Sequence, residues 1–244
     1  LGVEAASPAV AHPAPAAFTG GGNPYHACGR MGCSGGYARL SRSPAALPQG
    51  HIELKFGFSL VVRGEDANPD TFAAIAERSE ALQLDSLWLS AHVILPPQTK
   101  SGYVLIPGRK HDEHWKDNYW EPFTILSYLS AMTSKITLGT SVVVLPMHNP
   151  FELAKQVAEV DQLSRGRCVF GIGVGWFEEE FDALGQAFHN RGKRTDEALE
   201  LMHKLWTEEP VTFNGRYYNV TEASFRPKPV QQPGPPIWVA GASR

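Results

Sequence analysis

The residues best suited to chemistry stand where apolar runs stop. Ser90, Ala91 and His92 follow the run Asp85-Ser-Leu-Trp-Leu89. An imidazole at that point can give or take a proton near neutral pH. Thr140, Ser141 and Val142 fall inside a second apolar run. Gly171, Gly173, Val174, Gly175 and Trp176 close a third, and Ala240, Gly241, Ala242 and Ser243 close a fourth. Side chains alternate along a strand, so Gly171, Gly173 and Gly175 leave three successive positions of one face as bare backbone. A flat ring or a phosphate can approach such a face closely. Equally, the glycines can relieve crowding or permit a bulge. His92 has a plain structural use too, packed beside Val93, Ile94 and Leu95.

Other candidates read as solvated or unpaired. Glu178, Glu179 and Glu180 offer carboxylates, but acidic side chains also suit the positive end of a helix, and a solvated helix start is the default reading. Arg191, Lys193 and Arg194 are assigned to water rather than to phosphate. His111 and His114 lie among Asp112 and Glu113 without the two-histidine spacing of a zinc helix. His26, Cys28 and Cys33 match no zinc pair and lack a fourth ligand, so no metal is expected. Cys168 reads as a buried, reduced thiol, and three cysteines make no disulfide framework. A net charge of −3 argues against nucleic acid. No apolar stretch approaches the roughly 18 residues of a membrane span. A soluble, cytoplasmic protein acting on a small molecule is the expectation.

These residues are positioned by alternating elements. Residues 55–62 read as a strand, and Asn68-Pro69-Asp70 starts a helix, with Asn as cap and Pro in the first turn. Phe72, Ile75, Ala76 and Leu82 give that helix its buried stripe. Residues 85–89 form the second strand and 123–132 the second helix. Residues 136–145 form a third strand, apolar enough to be buried on both faces. Asn149-Pro150 starts a helix carried by Phe151, Leu153, Ala154, Val157, Ala158 and Leu163 to Gly166. Residues 168–175 form the fourth strand, 195–206 an amphipathic helix, and 237–240 the fifth strand. Asn214-Gly215, between Val211-Thr-Phe and Tyr217-Tyr218, signals a tight hairpin. Stretches around 93–121 and 207–235 are expected to be loops over one mouth.

Strands alternating with helices mean a parallel sheet. A doubly wound sheet would want Gly-x-Gly-x-x-Gly at a strand-helix turn, and Trp176 and Glu178 stand where a third glycine belongs. The expected architecture is therefore an α/β TIM barrel, a (β/α)8 fold with its chemistry at the carboxyl ends of the strands. Residues 1–50, rich in Ala, Pro, Gly and Ser, read as a disordered leader outside the fold, and 51–244 as a partial barrel domain. Leu1 at the start and an apolar strand at the end lead to the expectation of a fragment truncated after the fifth strand.

From Phe56 onward the chain resembles the bacterial luciferase-like superfamily, and in particular its coenzyme F420-dependent oxidoreductases. The matching segments include Leu87-Trp-Leu-Ser-Ala-His92, Ile136-Thr-Leu-Gly-Thr-Ser-Val142, His148-Asn-Pro150 and Asp161-Gln-Leu-Ser-Arg-Gly-Arg167. Gly171-Ile-Gly-Val-Gly-Trp176 with Glu180-Phe181, Arg191-Gly-Lys-Arg194 and Pro235-Pro-Ile-Trp-Val239 continue the series.

The resemblance implies a deazaflavin or flavin ring across the barrel mouth, touched by Ser90, Ala91, Thr140, Ser141, Val142, Gly173, Val174, Gly175 and Trp176. It implies a cis peptide at Ser141-Val142 and cofactor phosphate at Ala240, Gly241 and Ala242. His92 matches the proton donor of many F420-dependent relatives, and a homodimer is implied for the full-length protein. One departure bears on the cofactor. Relatives carry Asp before the histidine, and this chain carries Ala91, which weakens the case for F420 against FMN. The position of a catalytic glutamate in the superfamily's sugar-phosphate dehydrogenases falls on Trp176, which disfavours that activity.

Three readings follow: an F420-dependent oxidoreductase with His92 as proton donor, an FMN-dependent monooxygenase using oxygen, and an inactive fragment of an active parent.

Overall fold

Asparagine before proline does start helices here. The computed structural model describes residues 54–97 and 117–241. Its elements run β1 (Gly57–Ser59), α1 (Pro69–Ala81), β2 (Ser86–Leu89), α2 (Pro122–Met132), β3 (Thr137–Thr140) and β4 (Val143–Val144). A 3-10 turn, Leu145–Met147, leads to α3 (Pro150–Ser164), β5 (Cys168–Gly173), α4 (Glu178–Ala183) and α5 (Arg191–Thr207). A hairpin of β6 (Val211–Asn214) and β7 (Asn219–Ala223) precedes β8 (Ile237–Ala240). The Asn68 side chain accepts from the Thr71 amide and that of Asn149 from the Phe151 amide. Glu121 does the same for α2, accepting from the Phe123 and Thr124 amides. Helix α3 stops where Arg165 and Gly166 turn left-handed, at φ 59° and 83°.

The sheet is parallel and grows in one direction, in the order β1, β2, β3, β5, β8. Strand β4 lies beside the upper half of β5, on the side that β3 occupies below. Each strand joins the one before it, with none of the order reversal that defines a doubly wound sheet. Leu87, Leu89, Leu138, Cys168, Phe170 and Ile172 are buried in one core with Phe72, Leu126, Leu129, Leu153 and Val157 of the helices.

The other face of the sheet is organised by Trp88. Its indole donates from Nε1 to Ser86 Oγ at 2.8 Å and stacks on Trp238, with centroids 4.8 Å apart. A methyl group added at Gly57 or Gly139 would run into that ring. The two glycines thus make room for a flat side chain lying across three strands.

Several expectations need correction. The third apolar run is not one strand: it breaks after Thr140 and resumes at Val143. The strand expected over 168–175 ends at Gly173, and the one over 55–62 shrinks to Gly57–Ser59. Leu82 and Leu163 are exposed, because Leu82 follows the end of α1 and Leu163 falls on the far side of the stripe that buries Val157, Val160, Asp161 and Ser164. In the hairpin Asn214 pairs with Asn219, so Tyr217 and Tyr218 sit in the turn, whose amides are held by the Glu197 carboxylate.

The segment expected over the mouth at 207–235 lies elsewhere. It joins the end of α5 to the start of β8, and that connection belongs to the amino-terminal end of the strands. Gln231 ties it there, donating to Asp161 and to the carbonyl of Cys168, the first residue of β5. The leader, the stretch with His111 and His114, and Ala242 with Ser243 lie outside the described residues.

Candidate active site at the strand ends

Strand β2 runs out at Leu89, and the chain carries Ser90, Ala91 and His92 to the carboxyl edge of the sheet. Ser90 Oγ lies 2.6 Å from the Tyr119 hydroxyl. The His92 ring meets Tyr119 edge-on at 5.3 Å and Phe177 at 6.4 Å. Its Nδ1 lies 2.8 Å from Glu180 Oε2. The second carboxylate oxygen, Oε1, accepts from the backbone amides of Val93 at 2.8 Å and Ile94 at 3.3 Å.

Glu180 is fully buried, at 0% exposure, while His92 is half-buried. This overturns the solvated reading for one of the three glutamates. Glu178 is exposed and Glu179 half-buried, but Glu180 shares a helical face with the buried rings of Phe177 and Phe181. The spacing of 177, 180 and 181 was the available signal, since residues three and four apart lie on one face. His148 stands in the same surroundings. Burial holds its imidazole below the ordinary value, against the opposing charges of Glu121 and Glu180.

Next to this pair the backbone bulges. The Ser141–Val142 peptide is cis, at the bond where the resemblance placed one. Thr140 Oγ1 accepts from the Gly171 amide at 2.9 Å and donates to the Gly171 carbonyl at 2.7 Å, fully inside the protein. A Cβ on Gly171 would overlap the Thr140 carbonyl oxygen, and one on Gly173 would sit 3.0 Å from Val142 Cγ2. Of the two readings of the bare glycine face, the bulge is the one these two positions serve. The space is filled by the chain itself. Gly175 has φ 81° and presses towards Val144 and Phe181.

The arginines are likewise not solvent groups. Arg191 Nε donates to the Gly175 carbonyl at 3.0 Å, and its guanidinium lies 3.8 Å over the Phe188 ring. Arg194 is buried and donates to Asn190, Gln186 and the Ala187 carbonyl. Helix α5 begins at Arg191, four residues before the expected start, and the Arg191 and Arg194 side of its first turn packs on the protein. Lys193 is exposed, as the sequence implied.

Of the residues singled out for cofactor contact, Thr140 and Gly173 are buried, Val142, Gly175 and Trp176 half-buried, and Ser141, Val174, Ala240 and Gly241 exposed. Trp176 stacks on Phe177 at 5.1 Å. Gly173 pairs with both Val144 and Ala240, which draws the ends of β4, β5 and β8 together. A flat ring lying at this edge would meet apolar and hydroxyl groups side by side. Val142 is a half-buried apolar ledge beside exposed Ser141.

A cavity of about 630 Å³ lies at the opposite end, lined by Lys55, Asp85, Lys135, Trp88 and Trp238, and includes none of the candidate site residues. Among the described residues no group of His, Cys, Asp or Glu is set to hold a metal, and no helix is long and apolar enough to cross a membrane. Cys168 is buried, which pushes its thiol pKa up, with Asp161 adding to the effect.

The fold is that of an α/β protein with a mostly parallel sheet, and His92 and Glu180 stand together at the carboxyl ends of its strands. Residues 51–244 match the luciferase-like monooxygenase family, and the chain belongs to it. It is 34% identical over 131 residues to an FMNH2-dependent dimethylsulfone monooxygenase of Pseudomonas putida, covering 52% of this chain and 36% of that one. It is 35% identical over 192 residues to an F420-dependent glucose-6-phosphate dehydrogenase of Kineococcus radiotolerans, covering 77% and 50%. Among solved structures, the monooxygenase RslO1 of Streptomyces bottropensis superposes with a TM-score of 0.64 at 26% identity, covering 78% of this chain and 54% of that one. The chain spans about half, or less, of the length of these relatives. The family joins F420-dependent oxidoreductases and FMN-dependent monooxygenases, so a flavin-type cofactor is common to both branches.

Proposed function

We propose that this chain forms the first five strands of a (β/α)8 barrel in an F420-dependent oxidoreductase, with His92 as the proton donor to a small organic substrate. The observation that carries the reading is the placement of His92: an imidazole at the end of β2, fixed by a buried carboxylate and flanked by Tyr119 and Phe177.

Bound F420 would supply a two-electron hydride couple at the strand mouth. The chain's residues do the rest. Val142 and Ser141 would support the ring, with Val174, Gly175 and Trp176 beside it, and the backbone at Ala240 and Gly241 would receive the anionic tail. When a carbonyl carbon gains hydride, its oxygen becomes an alkoxide. Protonated His92 then loses its Nε2 proton to that oxygen, and the ring is left neutral with Nδ1–H donating to Glu180. Oxidation of an alcohol runs the same transfers backwards. Tyr119 and Phe177 crowd the ring and limit water around it.

Ala91 favours a second reading, FMN-dependent oxygenation, because the acidic residue that F420-dependent relatives carry there is missing. Fluorescence titration of the natural protein with each cofactor separates the two. A site that binds F420 tightly and FMN weakly supports the first reading, and the reverse order replaces it with the second.

A further inference from the structure

The role of Glu180 goes beyond any residue assigned so far. It is a fully buried carboxylate whose two oxygens carry three hydrogen bonds, all to one short segment: the His92 ring and the amides of Val93 and Ile94. An ionised carboxylate only accepts, so its partner nitrogen on the ring must be a donor. Beside an ionised Glu180, Nδ1 therefore carries a proton in both charge states of the imidazole, and any proton the ring exchanges is the one on Nε2. The same carboxylate grips the two backbone amides that follow His92, so ring orientation and backbone position are set together.

Among the described residues, the titratable groups facing the pair are Tyr119, which meets the ring edge, and His148, which feels the Glu180 charge. Neither of them replaces the contact at Nδ1. We propose that Glu180 is the positioning residue of the site, holding His92 as the Nδ1–H form so that Nε2 is its working nitrogen. The consequence for turnover rests on His92 being the proton donor; the tautomer does not.

The test is 15N NMR of the imidazoles in the natural protein, at alkaline pH where the rings are neutral, with His92→Asn identifying the signal. The expected spectrum has Nδ1 protonated and Nε2 bare of hydrogen. In Glu180→Gln the amide oxygen still accepts from Val93 and Ile94, but the amide nitrogen donates to Nδ1 and moves the proton to Nε2. Turnover with F420 should then fall by about 100-fold or more, since general acid catalysis contributes about 10²–10⁴-fold and the proton would sit on the wrong nitrogen. The F420 Kd should stay within about twofold, since the change acts on chemistry rather than on binding.

A wild-type His92 protonated at Nε2 when neutral overturns the proposal, and so does a Glu180→Gln variant that keeps Nδ1–H. The wild-type spectrum decides even where the variant fails to fold. Unchanged turnover in His92→Asn would instead sink the proton-donor reading and leave the tautomer assignment standing.

Discussion

Adding one methyl group to Gly171 and, separately, to Gly173 tests which of the two glycines the bulge after β3 requires. At Gly171 the new carbon overlaps the Thr140 carbonyl oxygen, which is backbone and has no rotamer to change. The Thr140 hydroxyl is bonded to both the amide and the carbonyl of Gly171, so a shift of either strand disturbs both bonds. The cost belongs at the upper end of overpacking, about 3 kcal/mol. At Gly173 the nearest atom is Val142 Cγ2 at 3.0 Å, the end of a half-buried side chain that needs to give by a few tenths of an ångström. Replacing a strand glycine by alanine returns about 0.5–1 kcal/mol, so the net effect of Gly173→Ala should lie within about 1 kcal/mol of zero. Urea denaturation followed by tryptophan fluorescence reads the difference. With a slope of about 3 kcal/mol per molar, Gly171→Ala should lower the midpoint by about 1 M and Gly173→Ala by less than about 0.3 M. Equal shifts, or a larger one for Gly173→Ala, would refute the assignment of the tight contact behind the bulge to Gly171.

Two further expectations concern the outer parts of the chain. A hydrogen bond from the Ser224 side chain, followed by the Lys228 ammonium, holds the Glu209 carboxylate down at about 2 against an ordinary 4.5. A depressed carboxylate stabilises the fold above its ordinary value and loses that contribution as pH falls towards the folded one. The Tm deficit of Glu209→Gln should therefore be constant above about pH 5 and shrink between 4.5 and about 2; a deficit independent of pH contradicts it. Residues 51–244 expressed alone should self-associate, because β1 and β8 each pair on one side among the described residues and leave Phe56, Phe58, Trp238 and Val239 exposed. A monomer by light scattering with a single cooperative melt would show otherwise.

What the sequence made legible was the repeating unit. Asn68-Pro69 and Asn149-Pro150 announced helix starts by a local rule, and continuous apolar runs announced parallel strands, so element type and strand order followed from short-range pattern. The break after Thr140 was not legible from propensity, because the apolar run from Ile136 to Leu145 continues on both sides of it; only the resemblance, with its cis peptide at Ser141-Val142, pointed there. The neighbouring β5, with Gly171 and Gly173 opposite, shows where the backbone leaves the ladder.

At the site, His92 was visible from its position at a strand end. Glu180 was hidden among three consecutive glutamates, since its burial depends on Phe177 and Phe181 packing inward with it. Tyr119 approaches Ser90 and His92 across 27 or more residues of chain, a contact no local pattern encodes. The placement of 207–235 away from the mouth follows from connectivity alone, as a helix-to-strand link must end where the strand begins.

The central claim is that the strand mouth beside His92 receives a deazaflavin. Its most direct test is F420 fluorescence titrated against the natural protein, with FMN as competitor. Saturable quenching by one site per chain, weakened by a bulky substitution at Ser141 and little affected by FMN, is the result the F420 proposal predicts. Tight FMN binding with no F420 binding, or F420 binding indifferent to Ser141, would contradict it.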